Sequence, residues 1–236
     1  MFNPSPSNEQ AAVGVDGCRG GWVAIDGQGH WMLSASFLEI LSHFSNHRFF
    51  IDIPIGLSGT GRDRVVEDFA RPLLGRRASS LFTPPCREAV YAESYQEANR
   101  INRSVCRKGI SIQCWNIVPR IREMDTLLRE KPHLKDCVFE AHPELSFVFF
   151  NHNKPLSFSK KTAEGRQERL NLLINHNPDY EGYFQHGRRA FSSTQASSDD
   201  LIDALCLTLL GNSRNKQLMQ PLMDAEGIPM NLVLPA

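Results

Sequence analysis

Three short β-branched runs within the first 37 residues, separated by glycine turns, constrain this chain more than any other feature. Residues 12–17 (AVGVDG) and 22–27 (WVAIDG) are joined by Cys18-Arg19-Gly20-Gly21, and Trp31 to Phe37 follows a second turn at Gly27-Gln28-Gly29. Runs of this length broken by Gly-rich turns predict a β-meander. The rest of the chain must then supply the layers that cover it.

Downstream the pattern alternates. Phe37 to Phe44 suits a short amphipathic helix, and Arg48 to Ile55 (RFFIDIPI) reads as a buried strand ending at Pro54. From about residue 58 to 131 the spacing is helical, with one stripe at Val65, Val66, Phe69, Leu73 and Leu74 and another at Ile117, Ile121, Met124 and Leu128. The stretch 79–87 (SSLFTPPCR) between them predicts a loop. Asp136 to His142 returns to strand character, and Thr162 to Ile174 and Asp199 to Leu210 are the last helices, with an unassigned polar stretch between them. The order predicts an α/β fold: one domain over residues 1–236, a mixed β-sheet flanked by helices, with a helical insertion at about 58–131.

Five acids stand at element ends or on one helix face. Asp16 falls late in the first strand, Asp52 sits inside Phe50-Ile51-Asp52-Ile53-Pro54, and Glu140 follows Val138-Phe139. Asp200 and Asp203 are three apart on the last helix and so share a face. A carboxylate inside an apolar run is costly unless a cation or donor compensates it. Converging like charges raise one another's pKa, so such a group needs protons or metal. All-oxygen ligands favour Mg²⁺ or Mn²⁺, and an open carboxylate site suits two-metal phosphodiester hydrolysis. Asp16, Asp52, Glu140, Asp200 and Asp203 are therefore candidate metal ligands and catalytic residues. Each also has a plainer reading: Asp16 as an Asp-Gly turn former, Asp199 and Asp200 as helix caps, Glu140 as a salt-bridged strand end.

The candidate phosphate contacts are basic. Arg62, Arg64, Arg71, Arg76, Arg77 and Arg87 gather in the insertion, and Lys160, Lys161, Arg166 and Arg169 recur after Glu140. They read either as a phosphate-holding wall or as helix surface laced with Glu67, Asp68, Glu164 and Glu168. Lys161 and Arg166 are favoured because they follow the Glu140 segment, with His142 positioned to orient water, bind phosphate or make a structural hydrogen bond. Gly17 to Gly21, with Arg19, reads as a tight turn or a phosphate approach, but no P-loop or dinucleotide fingerprint is present. Cys18 beside Arg19 is either a turn residue or a thiol of lowered pKa. His43 and His47 read as a solvated face rather than a zinc pair, and Phe82 and Trp115 as buried anchors or base-stacking rings.

Net charge is zero, from 26 basic and 26 acidic side chains, which argues against a polybasic nucleic-acid coat or an acidic tail. By segment it divides: −3 over residues 1–59, +4 over 60–125, −1 over 126–153, +3 over 154–189 and −3 over 190–236. Acidic segments hold the proposed ligands, and the basic ones flank them. Six scattered cysteines, no signal-like stretch in Met1 to Gln10 and no apolar run near ~20 residues predict a reduced, cytoplasmic protein without a membrane span.

The motifs GVDGCRGGW (Gly14 to Trp22), IDIPIGL (Ile51 to Leu57), RDRVVEDFARPLLGRRASSLFTPP (Arg62 to Pro85), QCWNIVPRIREMD (Gln113 to Asp125), FEAHPELSF (Phe139 to Phe147), KKTAEGRQERLNLL (Lys160 to Leu173) and DDLIDAL (Asp199 to Leu205) cover most of the chain. Together they resemble the domain-of-unknown-function family numbered 429, predicted nucleases of the ribonuclease H-like superfamily. The resemblance implies a ribonuclease H-like fold, with Asp16 and the last-helix acids where that superfamily holds metal. The segment Asp200 to Ala204 also resembles the terminal helix of Holliday-junction resolvases. The expected function is a Mg²⁺- or Mn²⁺-dependent nuclease acting on short or structured nucleic acid. Two alternatives stand beside it, a non-catalytic nucleic-acid or protein-binding module and an ATP-dependent phosphotransferase. Self-association through the helical insertion is a further possibility.

Overall fold

The structure, a computed structural model, describes residues 10–59 and 63–236. Arg62 and all but the last residue of the Met1 to Gln10 stretch lie outside the described residues. The meander forms as expected: β1 (Ala12–Cys18), β2 (Gly21–Asp26) and β3 (Trp31–Ser34) pair antiparallel in sequence order. The β1–β2 turn requires glycine at Gly21, where φ is 116° and a Cβ would stand 2.3 Å from the Ser34 carbonyl oxygen. Helix α1 (Phe37–His43), capped by Ser36, leads to β4 (Arg48–Ile51), which runs parallel to β1. Strand β5 (Val138–Glu140) pairs parallel with β4, giving a mixed sheet ordered β3-β2-β1-β4-β5.

Between β4 and β5 lie α2 (Val66–Leu74), a 3₁₀ turn at Gly75–Ser80, α3 (Arg87–Val90), α4 (Tyr95–Cys106) and α5 (Ile112–Glu130). The 3₁₀ turn takes the first part of the stretch expected to be loop. Ile121, Met124 and Leu128 of α5 pack with α1 against Val13, Val15, Phe49 and Ile51, covering one face of the sheet. Both strands flanking the insertion are shorter than their apolar runs. β4 stops at Ile51 rather than Ile55, because Pro54 has no N–H for a ladder while Ile53 and Ile55 stay buried without one. β5 is preceded by a 3₁₀ turn at Pro132–Asp136 and followed at once by α6 (Pro143–Phe150).

The opposite face carries α6, α7 (Ala163–His176), α8 (Asp179–Ala190) and α9 (Ser198–Asn212). α8 occupies the polar stretch left unassigned by the sequence. Short strands close the chain, β6 (Asn215–Gln217) pairing with β9 (Val233–Pro235) and β7 (Leu222–Met223) with β8 (Pro229–Met230). No helix among the described residues is long and apolar enough to cross a membrane.

Every residue of α9 from Leu201 to Gly211 is buried, so this helix lies inside the second layer rather than on its surface. It approaches β1 closely at Gly14, whose N–H donates to Thr208 Oγ1 at 3.0 Å. A Cβ at Gly14 would fall 2.1 Å from the Ala204 carbonyl oxygen and 2.4 Å from the Thr208 nitrogen. Gly14→Ala is therefore expected to push α9 off the sheet and cost about 1–3 kcal/mol, the range for overpacking a tight contact. An unchanged urea midpoint would show that the helix yields freely.

Candidate functional site

Side chains alternate across a sheet, and this parity sorts the five candidate acids. On β1, Val13 and Val15 face α1 and α5, whereas Ala12, Gly14 and Cys18 face α9, and Asp16 shares their parity. On β4, Phe49 and Ile51 face α5 and Phe50 faces α9, and Asp52 follows with the parity of Phe50. The Asp52 N–H donates to the Val15 carbonyl at 3.1 Å, which keeps Asp52 beside Asp16 at the C-terminal edge of the two central strands. Helix α9 brings Asp203 and Asp200 to the same place. Asp203 is 2% exposed.

Glu140 belongs to the other face. It pairs in register with Ile51 and has the parity of Val138, so its carboxylate turns toward the α5 side. There it binds the Arg64 guanidinium and accepts the Ile55 N–H at 2.7 Å, with Glu67 completing a buried triad around Arg64. Burial pushes its pKa up to about 7 while Arg64 opposes the shift. Glu140 is thus a salt-bridged strand-end acid whose carboxylate is held by Arg64, while its residue still lines the cavity that Asp16 and Asp52 line.

Asp16, Asp52 and Asp200 sense the charges around them. Asp16 has a pKa well above the usual aspartate range, first through burial and then through the charges of Asp52, Asp203 and Asp200. Asp52 is raised by burial, with Lys160 and His142 opposing and Asp203 adding to the rise. Asp200 is raised by burial against the pull of its bonds to Ser197, which form a capping box: the Ser197 N–H donates to Asp200 Oδ2 at 2.7 Å, and the Asp200 N–H donates to Ser197 Oγ at 3.3 Å. Raised carboxylates mean that the native state holds more protons than the unfolded chain between the ordinary aspartate range and the raised values. Stability then falls as pH rises through that window. The denaturation midpoint is expected to decline as pH rises above the ordinary aspartate range, and less steeply in Asp16→Asn, as urea titrations at several pH values would read.

The sequence did not single out Lys160 from its neighbours. Its Nζ donates to Asp203 Oδ2 at 2.9 Å, and its charge also acts on Asp52 and Asp16. The second oxygen of the same carboxylate, Asp203 Oδ1, is buried with no hydrogen-bond partner. Lys161 is exposed, and Arg166 reaches Asp199 only at 3.8 Å. Other members of the expected basic wall are structural: Arg169 is buried against Glu144 and Phe147, and Arg87 is tied to Asp125 and Asp224.

His142 makes the structural hydrogen bond of a helix cap and also lines the cleft. Its Nδ1 accepts the Leu145 N–H at 3.2 Å and its Nε2 faces the Ser80 carbonyl at 3.4 Å, so both ring nitrogens have partners. The Gly17 to Gly21 loop is the tight turn, since the Gly17 N–H goes to Asp16 Oδ1 and the Gly20 N–H to the Gln195 carbonyl. Arg120 of α5 braces it through the Cys18 and Gly21 carbonyls. Burial drives the Cys18 thiol up to about 11, which removes it as a ready nucleophile. Trp115 packs edge-on to Tyr95.

Asp16, Asp52 and Asp200 line a cleft made of three adjoining cavities, while Asp203 is buried and lines none of them. The middle one, about 140 Å³, is lined by Asp16, Asp52, Glu140, Phe82 and Arg120. One neighbour of about 450 Å³ shares Asp52, Phe82 and His142 with it and adds Arg77, Lys160 and Lys161. The other, about 500 Å³, shares Gly17 and Arg120 and adds Arg19 and Asp200. Acids in the middle with cations at both ends is a distribution suited to a phosphodiester flanked by further phosphates.

As the side chains stand, no group of three or more His, Cys, Asp or Glu among the described residues is close enough to hold a metal ion. The donor chemistry nevertheless suits a hard divalent cation: the acids offer carboxylate oxygens, and the buried Asp203 Oδ1 lacks a hydrogen-bond partner. Lys160 supplies the one positive charge there bonded to these acids among the described residues.

A family model described as protein of unknown function (DUF429) matches residues 14–226, from β1 to just past β7, and so contains the acids and Lys160. No curated protein and no solved structure matches the chain. With most of its length in that match, the chain belongs to the DUF429 family.

Proposed function

We propose that this protein is a metal-dependent phosphodiesterase acting on nucleic acid, built on a ribonuclease H-like domain. One observation carries the reading: Asp16, Asp52 and Asp203, from two adjacent parallel strands and the last helix, meet on one face with raised Asp16 and Asp52 pKa values and one orphaned oxygen. Buried acids with perturbed pKa values in a cleft are a functional-site signature. The mixed sheet with its first strand at the centre supports the fold assignment.

Asp16, Asp52 and Asp203 would hold Mg²⁺ or Mn²⁺, with Asp200 at the edge. When bound, the ion supplies Lewis-acid stabilisation of a phosphoryl oxygen and a more acidic water. Lys161 on one side and Arg19 on the other grip flanking phosphates, while the Phe82 ring lines the path between them. The local cationic ends on a neutral chain suit a short or structured strand rather than a long track.

The reading is tested by calorimetric titration of Mn²⁺ and by cleavage assays on RNA, DNA and RNA–DNA hybrid oligonucleotides. Metal binding with turnover of one substrate class is expected. Binding without turnover on any of them would favour the non-catalytic module.

A further inference from the structure

We propose that Lys160 is the built-in counter-cation of the carboxylate group, and that a divalent ion and the Lys160–Asp203 pair exclude each other. The inference rests on the metal-site reading above. Lys160 Nζ lies 2.9 Å from Asp203 Oδ2, while the buried Oδ1 of the same carboxylate has no hydrogen-bond partner. The lysine therefore satisfies only half of the group it neutralises. A single ammonium also cannot draw three carboxylates together as a divalent ion does, and among the described residues no three acids stand within metal-holding range.

Lys160 has somewhere to go. Its side chain is 36% exposed and lines the cavity of about 450 Å³ that also holds Arg77 and Lys161. The flexible four-carbon stem can swing its ammonium from Asp203 into that cavity without disturbing the backbone. Metal entry then has two effects at once. It replaces a monovalent charge among the acids by a divalent one, and it releases a third cation to the phosphate side of the cleft. Because competing ligands are linked reciprocally, whatever weakens the lysine pair strengthens metal binding by the same factor.

The deciding experiment uses the wild-type chain. It is labelled briefly with an amine-acylating succinimidyl ester, with and without saturating Mn²⁺, and each lysine is quantified by peptide mass spectrometry. Lys160 labelling is expected to rise about tenfold with Mn²⁺, the scale of coupling between linked sites, while Lys161 stays constant. Calorimetry provides the converse: Lys160→Met should bind Mn²⁺ about tenfold more tightly than wild type, and Lys160→Arg should resemble wild type. If wild type binds no Mn²⁺, binding by Lys160→Met alone supports the proposal, and binding by neither variant nor wild type overturns it. Lys160 labelling unchanged by Mn²⁺ that binds and is lost in Asp203→Asn would overturn the lysine exchange while leaving the metal site intact. Mn²⁺ binding equally well to Asp203→Asn would instead sink the metal-site reading.

Discussion

Asp16→Asn is expected to slow metal-dependent cleavage by orders of magnitude and, in the same protein, to raise the melting temperature at neutral pH. The two effects have one origin. Asp16 is buried among Asp52, Asp200 and Asp203, and burial is the largest reason its charged form is disfavoured. An asparagine removes that charge but keeps an Oδ1 to accept the Gly17 N–H, now donated to Asp16 at 2.7 Å, so the turn after β1 is retained. Without the carboxylate a divalent ion loses a ligand on the central strand, and cleavage should drop about 10²- to 10⁴-fold, equivalent to the several kcal/mol a metal contributes to a phosphoryl transition state. Stability moves the other way, by about 2–4 °C for each kcal/mol relieved in a chain of this size. A variant that cleaves at the wild-type rate would remove Asp16 from the chemistry. One that loses activity and also melts earlier would point to a folding defect instead. Stability surrendered at a group of acids is the pattern of a site maintained for use rather than for folding.

What the sequence could convey about this site follows from periodicity. Asp16 lies in β1 and Asp52 directly follows β4, but both faces of these strands are apolar, so the face of each acid follows from that of the residue two before it only once the covering helices are known. Glu140 is no more legible, because Val138 and Phe139 are both apolar and β5 is only three residues long, leaving its face undecided until the register with Ile51 is known. Lys160 had no local signal at all. It stands in a loop beside an identical residue, and only the path of the chain from α6 to α7 brings it to Asp203. Helix α8 was hidden for a related reason, since its buried stripe is only Tyr180, Phe184 and Gly187 among polar residues. Strands of two or three residues near the C-terminus are too short to show a period. Arg64 and Glu67 look like an ordinary surface pair three apart, yet both are buried, because α2 begins against the end of β4 rather than in solvent.

That misread arginine gives the largest expected effect on stability. Arg64 is 6% exposed and binds Glu67, Glu140 and the carbonyls of Ile55 and Gly56. Arg64→Met would leave two buried carboxylates facing each other, and removing one partner from such a group costs about 3–5 kcal/mol. The loss should depend on pH in a definite direction. Glu140 already has a pKa of about 7 with Arg64 beside it, and without the cation it rises further. A carboxylate whose folded pKa is raised binds its proton more readily in the native state, so the deficit of Arg64→Met should be largest above pH 7 and shrink toward pH 5. Glu140→Leu on the Arg64→Met background should recover part of the loss, because an apolar pair of similar size avoids the unpaired charge. Urea midpoints of the single and double variants at pH 5 and 8 measure all three statements, and a pH-independent deficit would mean that Arg64 acts by packing alone. The same variant reaches the site. The Ile55 and Gly56 carbonyls held by Arg64 belong to the segment that leaves β4 directly after Asp52, so loosening it should also weaken Mn²⁺ binding, whereas Gly14→Ala acts on the acids only through α9. Glu140 thus serves the carboxylate group from the opposite face of the sheet, by fixing the arginine that fixes the turn that carries Asp52.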